Sequence, residues 1–232
     1  MYLCTLTHYK MTNTGKIELM APAGNFESLQ AAIDNGADSV YFGVDQLNMR
    51  ARASINFTIA DLDEIARRCA PKGIRTYLTL NTIIYDHDLS IIKTLLDAAK
   101  KAGLTAVIAM DQAVIAYARQ IGMEVHISTQ INITNIETVR FYAMFADTMV
   151  MSRELSLRQI KKICEQIEKE QIKGPSGNLV EIEIFGHGAL CMAVSGKCYL
   201  SLHSHNSSAN RGACKQNCRK KYTVIDQESG FE

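Results

Sequence analysis

Short apolar runs alternate with amphipathic stretches along nearly the whole chain. Runs of the length and β-branched character of buried parallel strands lie at 17–20, 39–42, 75–80, 106–110, 124–127, 148–151 and 181–185. Between them, apolar residues recur at helical spacing over 26–35, 59–71, 89–102, 112–121, 136–146 and 157–172. Gly36, Gly73 and Gly103 stand just past three of these stretches, where a left-handed residue ends a helix. Asn35-Gly36-Ala37-Asp38 and Ala102-Gly103-Leu104-Thr105 are similar exits into a strand, a weak repeat of one βα unit. The rhythm predicts an α/β fold of the (β/α)8 TIM-barrel type; a doubly wound open sheet shares the same periodicity. Seven strands precede a cysteine-rich segment. The stretch 222–225 is an eighth candidate, or the first arm of a hairpin turning at 226–230. The expected organisation is therefore a leader over 1–16, with Met11 as a possible start, and one barrel domain over 17–232. That domain is expected to be incomplete at its C-terminal end.

Composition adds little to this picture, and charge adds more. At 232 residues, 47% hydrophobic and 21% charged, the chain is long enough for one sizeable core. No apolar run approaches the roughly 20 residues that span a bilayer, and no secretory h-region is readable, so no membrane association and a cytoplasmic setting are expected. Thiols stay reduced there, which turns seven cysteines toward metal or redox chemistry. The net charge is only +1, but its distribution is uneven. Over 186–225 the only charged side chains are Lys197, Arg211, Lys215, Arg219, Lys220 and Lys221. Arg211, Lys215, Arg219, Lys220 and Lys221 are the candidate phosphate contacts for an RNA partner; a solvated basic loop is their plain alternative.

Cys191, Cys198, Cys214 and Cys218 share that acid-free, glycine-rich segment, at intervals of 7, 16 and 4 positions. Structural zinc favours two close pairs. Here only Cys214 and Cys218 are close, so a cubane 4Fe–4S cluster is the better expectation and zinc the alternative. A radical S-adenosylmethionine site needs a close three-cysteine motif, which is missing. Cys4, Cys69 and Cys164 read as small hydrophobes.

In such barrels chemistry collects where strands meet the following loops. Those ends carry Gly24 and Asn25, Gly43, Asn81, Asp111, Ser128-Thr129-Gln130, Ser152-Arg153-Glu154 and His187. Asn81, His126, Gln130 and His187 are the candidates for the substrate cavity. Taken singly, Asn and Thr there cap helices, Arg153 and Glu154 make a local ion pair, and His126 is a core histidine. Arg50 and Arg52 are further candidates for an anion. His203 and His205 lie in a Ser/His/Asn-rich loop.

The stretch from Glu183 through His187, Cys191, Gly196 and Cys198 to Ser201 resembles the signature of the U32 family, the collagenase-like peptidase group. The likeness extends through Asn210, Arg211, Cys214, Cys218 and Tyr222, and back to Met20-Ala-Pro-Ala-Gly24 and His126-Ile-Ser-Thr-Gln130. It covers roughly residue 17 to the end of the chain. The resemblance implies an iron–sulfur RNA hydroxylase acting on a tRNA wobble uridine or an rRNA pyrimidine, with prephenate as co-substrate in the tRNA branch. A U32 peptidase and a non-catalytic RNA-binding iron–sulfur module are the alternatives. No His-Glu-x-x-His or Gly-x-Ser-x-Gly motif supplies a proteolytic mechanism.

Overall fold

The computed structural model describes residues 17–44, 47–49, 57–188, 190–223 and 225–230. The expected leader, Cys4, Arg50 and Arg52 lie outside the described residues. Seven parallel strands stand in chain order: β1 (Met20–Pro22), β2 (Ser39–Gly43), β3 (Arg75–Leu80), β4 (Ala106–Ala109), β5 (Glu124–Ile127), β6 (Thr148–Val150) and β7 (Glu181–Glu183). Each pairs with its sequence neighbours, and β1 and β7 do not pair with one another. The result is a curled, incomplete TIM-like barrel. An eighth strand at 222–225 is not formed by its described residues; the turn at 226–230 is, with the Gly230 amide donating to the Asp226 carbonyl at 2.8 Å.

Six longer helices cover the outside: α1 (Phe26–Asp34), α2 (Leu62–Cys69), α3 (Leu89–Lys101), α4 (Gln112–Gln120), α5 (Ile136–Tyr142) and α6 (Leu157–Glu170). Local chemistry sets their starts. Asn25 and Ser28 exchange side-chain and backbone hydrogen bonds at the head of α1, and Ser156 and Gln159 do so for α6, satisfying N–H groups that have no intrahelical partner. The single helix expected over 59–71 is broken into a 3-10 turn (Ile59–Asp61), α2, and a second 3-10 turn (Ala70–Lys72). Pro71 has no N–H to continue the ladder, and Gly73 closes the element at φ 68°.

The core has two parts with different chemistry. Between strands and helices runs a large apolar layer in which Leu29, Val40, Ile65, Leu78, Leu95, Leu96, Val107 and Val114 are fully buried. Each such side chain contributes about 1.5–3 kcal/mol, so this layer holds the fold. Inside the curl, strand register sets Tyr41 beside Tyr77, and Tyr77 beside Ala106 and then Glu124. The apolar cluster there is small: Tyr77, Ala106 and Ile108, flanked by Met20 and Tyr41. The rest of the interior is polar. Among the described residues no helix is long and apolar enough to cross a membrane.

Candidate functional site

The C-terminal ends of the strands form a polar mouth. Asn81, directly after β3, is buried; its Nδ2 donates to Ser128 Oγ at 3.2 Å and to Gln130 Oε1 at 3.5 Å. Ser128 Oγ donates to Gln130 Oε1 in turn, and Asn81 Oδ1 accepts the Met49 N–H at 3.1 Å. Asn81 and Gln130 thus meet as expected, in a network that holds amide groups at one side of the mouth. Asp111 takes the plainer role: its carboxylate caps α4 through the Ala113 N–H at 2.9 Å.

His126 does not join this mouth. It lies two residues before Ser128 on the same face of β5, one layer down, with 1% of its surface exposed. Its ring packs on Tyr77, centroids 4.6 Å apart, and Nε2 meets Glu124 Oε1 at 3.0 Å. Nδ1 faces Glu183 Oε2 at 3.9 Å; both atoms are buried and have no hydrogen-bond partner among the described residues. Below them Tyr77 donates its hydroxyl to Glu18 Oε1 at 2.7 Å, and Arg75 pairs with Glu18 at 3.2 Å. Burial, and then the bond to Glu18, push the Tyr77 phenol well above its ordinary range. The bond to His126 holds Glu124 below the usual carboxylate range, whereas burial pushes Glu183 up. Sequence reading missed this interior set, although Arg75, Tyr77, Glu124 and Glu183 all fall at alternating positions of the strand runs.

His187 is exposed on the loop after β7. The loop expected at His203 and His205 contains a short helix, α7 (Leu200–His205), on which both histidines are exposed.

The cysteine segment lies across the mouth and is tied to it at several points. Arg153 does not pair with Glu154. Its guanidinium donates to Ser195 Oγ at 2.8 and 3.2 Å, to the Cys191 carbonyl at 3.2 Å and to the Ala193 carbonyl at 3.1 Å. Glu154 instead accepts from Ser152, and that bond holds its carboxyl low. Asn132, in the left-handed region at φ 58°, donates to the Ser195 carbonyl at 2.9 Å. Gly196 has φ 70° and sits so close to Gln130 that an added Cβ would stand 2.9 Å from the glutamine Cβ. Farther along, Asn210 accepts the Cys198 N–H at 3.1 Å, and its carbonyl accepts the Ile83 N–H at 3.1 Å.

Arg211, expected among the RNA contacts, is committed elsewhere. Its Nη1 lies 2.5 Å from Asp88 Oδ2 and 2.8 Å from the Ile83 carbonyl, and the guanidinium covers the Tyr85 ring at 4.5 Å. Lys215, Arg219, Lys220 and Lys221 are exposed and, among the described residues, have no ion-pair partner.

Cys191, Cys214 and Cys218 are exposed and Cys198 is half-buried; none is in a disulfide. The Gln216 N–H donates to Cys214 Sγ at 3.3 Å, the kind of contact that tunes a metal-bound thiolate. Four free thiols on one segment fit the donor chemistry of an iron–sulfur cluster. Among the described residues, however, no three His, Cys, Asp or Glu side chains are gathered closely enough to hold a metal ion. Closing four thiols on one centre therefore requires the segment to tighten. Cys69 is buried and Cys164 half-buried, and burial raises both thiols.

The fold and site define an α/β half-barrel whose polar mouth is covered by a basic, cysteine-bearing segment. Residues 24–232 match the model of Peptidase family U32, and the chain belongs to that family. It is 58% identical over 220 residues to a collagenase of Porphyromonas gingivalis, covering 95% of this chain and 53% of the relative. It is 34% identical over 229 residues to a tRNA hydroxylation protein of Bacillus subtilis (97% and 51% covered). A 23S rRNA 5-hydroxycytidine synthase of Escherichia coli is 35% identical over 215 residues (92% and 31% covered). The chain spans about half the length, or less, of these curated relatives. A solved U32 peptidase structure superposes with a TM-score of 0.54 at 13% identity, covering 69% of each chain, which establishes the shared fold.

Proposed function

We propose that this chain is the barrel of an RNA hydroxylase that acts on a pyrimidine of tRNA or rRNA and carries an iron–sulfur cluster on Cys191, Cys198, Cys214 and Cys218. The observation behind this reading is a single acid-free segment that bears four free thiols and a group of cations and is tied by Arg153 to a polar, amide-lined mouth. When bound, the cluster supplies one-electron transfer. The chain's own residues supply recognition. Lys215, Arg219, Lys220 and Lys221 face solvent where they can hold phosphates. Asn81 and Gln130 offer hydrogen-bonding groups to the edge of a base turned out of its stack. The relatives named for tRNA and rRNA hydroxylation support the substrate class. Prephenate is the proposed co-substrate, by family resemblance alone.

A peptidase is the second reading, favoured by the 58% identity to a protein named collagenase. The described residues offer it little. Ser128 donates to the Gln130 amide and Ser195 accepts from Arg153, neither of which is a general base; Ser152 donates to the Glu154 carboxylate, and among the described residues no histidine is bonded to any of the three. Ser204 lies 2.8 Å from His205 Nδ1, but its hydroxyl already donates to the Leu200 carbonyl at 2.6 Å, so its proton is not offered to the imidazole.

Deleting the encoding gene and digesting total RNA to nucleosides separates the two. Absence of a hydroxylated pyrimidine, restored by the full-length gene, is the expected result. An intact nucleoside profile with loss of collagen cleavage would establish the peptidase instead. Anaerobically purified protein should hold iron and sulfide in cluster proportion and lose both on any of the four Cys→Ala changes; stoichiometric zinc without iron would refute the cofactor.

A further inference from the structure

We propose that Arg153 is a positioning residue that fastens the Cys191–Cys198 loop to the barrel, so that strand β6 sets the geometry of this half of the thiol set. This deepens the reading above, on which its functional meaning rests.

The case begins with where Arg153 stands. Its backbone is fixed by the sheet: the Met151 N–H donates to the Glu183 carbonyl at 3.0 Å, and the Ser152 N–H to the Ile133 carbonyl at 2.9 Å. From that anchor the guanidinium reaches across about 40 residues of sequence to three positions of the loop. Its acceptors are two carbonyls and one hydroxyl, none of them a carboxylate. A side chain serving only charge balance or solubility would not choose such partners. The planar fork of arginine, with five N–H donors in fixed directions, engages several acceptors at once; an ammonium on a flexible stem does not. Ser195, its hydroxyl acceptor, is buried at 7% exposure. The neighbouring strand end adds a second fastening through Asn132 to the Ser195 carbonyl and the close fit of Gly196 on Gln130.

The other two thiols are anchored differently. The Lys215 N–H donates to Ser201 Oγ at 2.9 Å, Ser207 Oγ to the Ala213 carbonyl at 2.7 Å, and Asn217 Nδ2 to Ser204 Oγ at 2.5 Å. These partners lie on or beside α7. The thiol set is thus two halves. The first is held by the ends of β5 and β6, with the Cys198 N–H also on Asn210; the second is held by α7 and by the bonds of Asn210 and Arg211 to Ile83 and Asp88. Arg153 reaches three residues of the first half, and among the described residues it has no hydrogen bond to the second.

Hydrogen exchange on the full metal-free chain tests this without needing the cofactor. In Arg153→Ala, amides in 191–198, among them Lys197 bonded to the Val194 carbonyl at 3.1 Å, should exchange about tenfold faster or more. Peptides over 106–109 and 213–219 should keep wild-type rates. Arg153→Lys should fall between, and Ser195→Ala, which removes only the hydroxyl acceptor, should show a smaller acceleration of the same segment. After reconstitution with iron and sulfide, Arg153→Ala should lose its visible absorbance to a chelator faster than wild type. Unchanged exchange in 191–198 overturns the proposal. So does acceleration that extends to 106–109, which would mark a general loss of fold. If wild type takes up no iron, the cofactor reading fails while the exchange data still decide the role of Arg153.

Discussion

Replacing Arg211 with alanine should destabilise the protein by about 3 kcal/mol, although the residue lies in the basic segment expected to contact RNA. Asp88, at the head of α3, has 6% of its side chain exposed, and Arg211 has 23%. The pair is held at 2.5 and 3.4 Å, and Arg211 also donates to the Ile83 carbonyl. Removing the guanidinium leaves a buried carboxylate with the Tyr85 N–H at 2.9 Å and the exposed His87 ring at 3.5 Å. Breaking one side of a buried ion pair costs roughly 3–5 kcal/mol, and the partial exposure of Arg211 places the loss at the lower end. At roughly 2–4 °C per kcal/mol for a chain of this size, the melting temperature should fall by about 6–12 °C. Urea unfolding followed by circular dichroism at pH 7 measures the loss. Asp88→Ala/Arg211→Ala should lose less than the sum of the single changes, because the second change no longer strands a charge. The pH sign follows from Asp88, whose carboxyl is held low first by the hydrogen bond to Arg211. The pair's contribution is complete at neutral pH, above the unfolded value near 4, and is lost as pH falls through the lower folded value. A loss under about 1 kcal/mol at an unchanged m-value would refute the reasoning and return Arg211 to the surface cations.

Three further outcomes follow from other parts of the structure. Lys215→Ala/Arg219→Ala should reduce the salt slope of tRNA binding by about two without changing the melting temperature; an unchanged slope in filter binding would make these residues a solvated face. Glu183→Gln should raise the melting temperature at pH 8 and leave it unchanged near pH 4. Burial raises the Glu183 carboxyl, so its folded form is favoured while protonated and penalised as pH rises through the folded value; equal stabilisation at both pH values would contradict that sign. Gly43→Ala should cost roughly 1–3 kcal/mol by overpacking, since an added Cβ would meet the fully buried Asn48 side chain at 2.3–2.5 Å, and a neutral result in urea unfolding would count against the packing described.

The strands were legible because a sheet covered on its outer face reads as apolar runs, and these runs located all seven. Their ends were less legible. The first apolar run is 17–20, yet Ile17 and Leu19 are 63% and 60% exposed and the strand is Met20–Pro22. An apolar run records which residues avoid water; pairing depends on which N–H and C=O groups find partners, and the two differ by several residues at an edge. Helix α7 escaped notice for a related reason. Only Ser201 among its six residues is buried, so it has no apolar face to betray it, and its stability comes from contacts made after it.

The candidate site divides along the same line. Residue type and spacing singled out the four cysteines and the cations, because those properties are local. What each charged side chain touches is not local. Arg153 and Glu154 are neighbours in sequence, and an ion pair between them was the economical expectation; Arg153 instead serves acceptors 38 to 42 residues away, and Arg211 serves one 123 residues away. Both arginines face the problem of docking a segment rich in glycine and serine, and poor in buried apolar groups, onto a barrel mouth. Such a segment cannot be held by the hydrophobic effect, since Leu190, Met192, Val194 and Tyr199 are all exposed. It is held by hydrogen bonds, from Arg153 to the carbonyls of the segment and from Arg211 on the segment to Asp88 and the Ile83 carbonyl, and arginine is the side chain that makes several of those at once. The two arginines that fasten the segment are therefore separable, by stability and exchange, from the lysines and Arg219 that leave it charged.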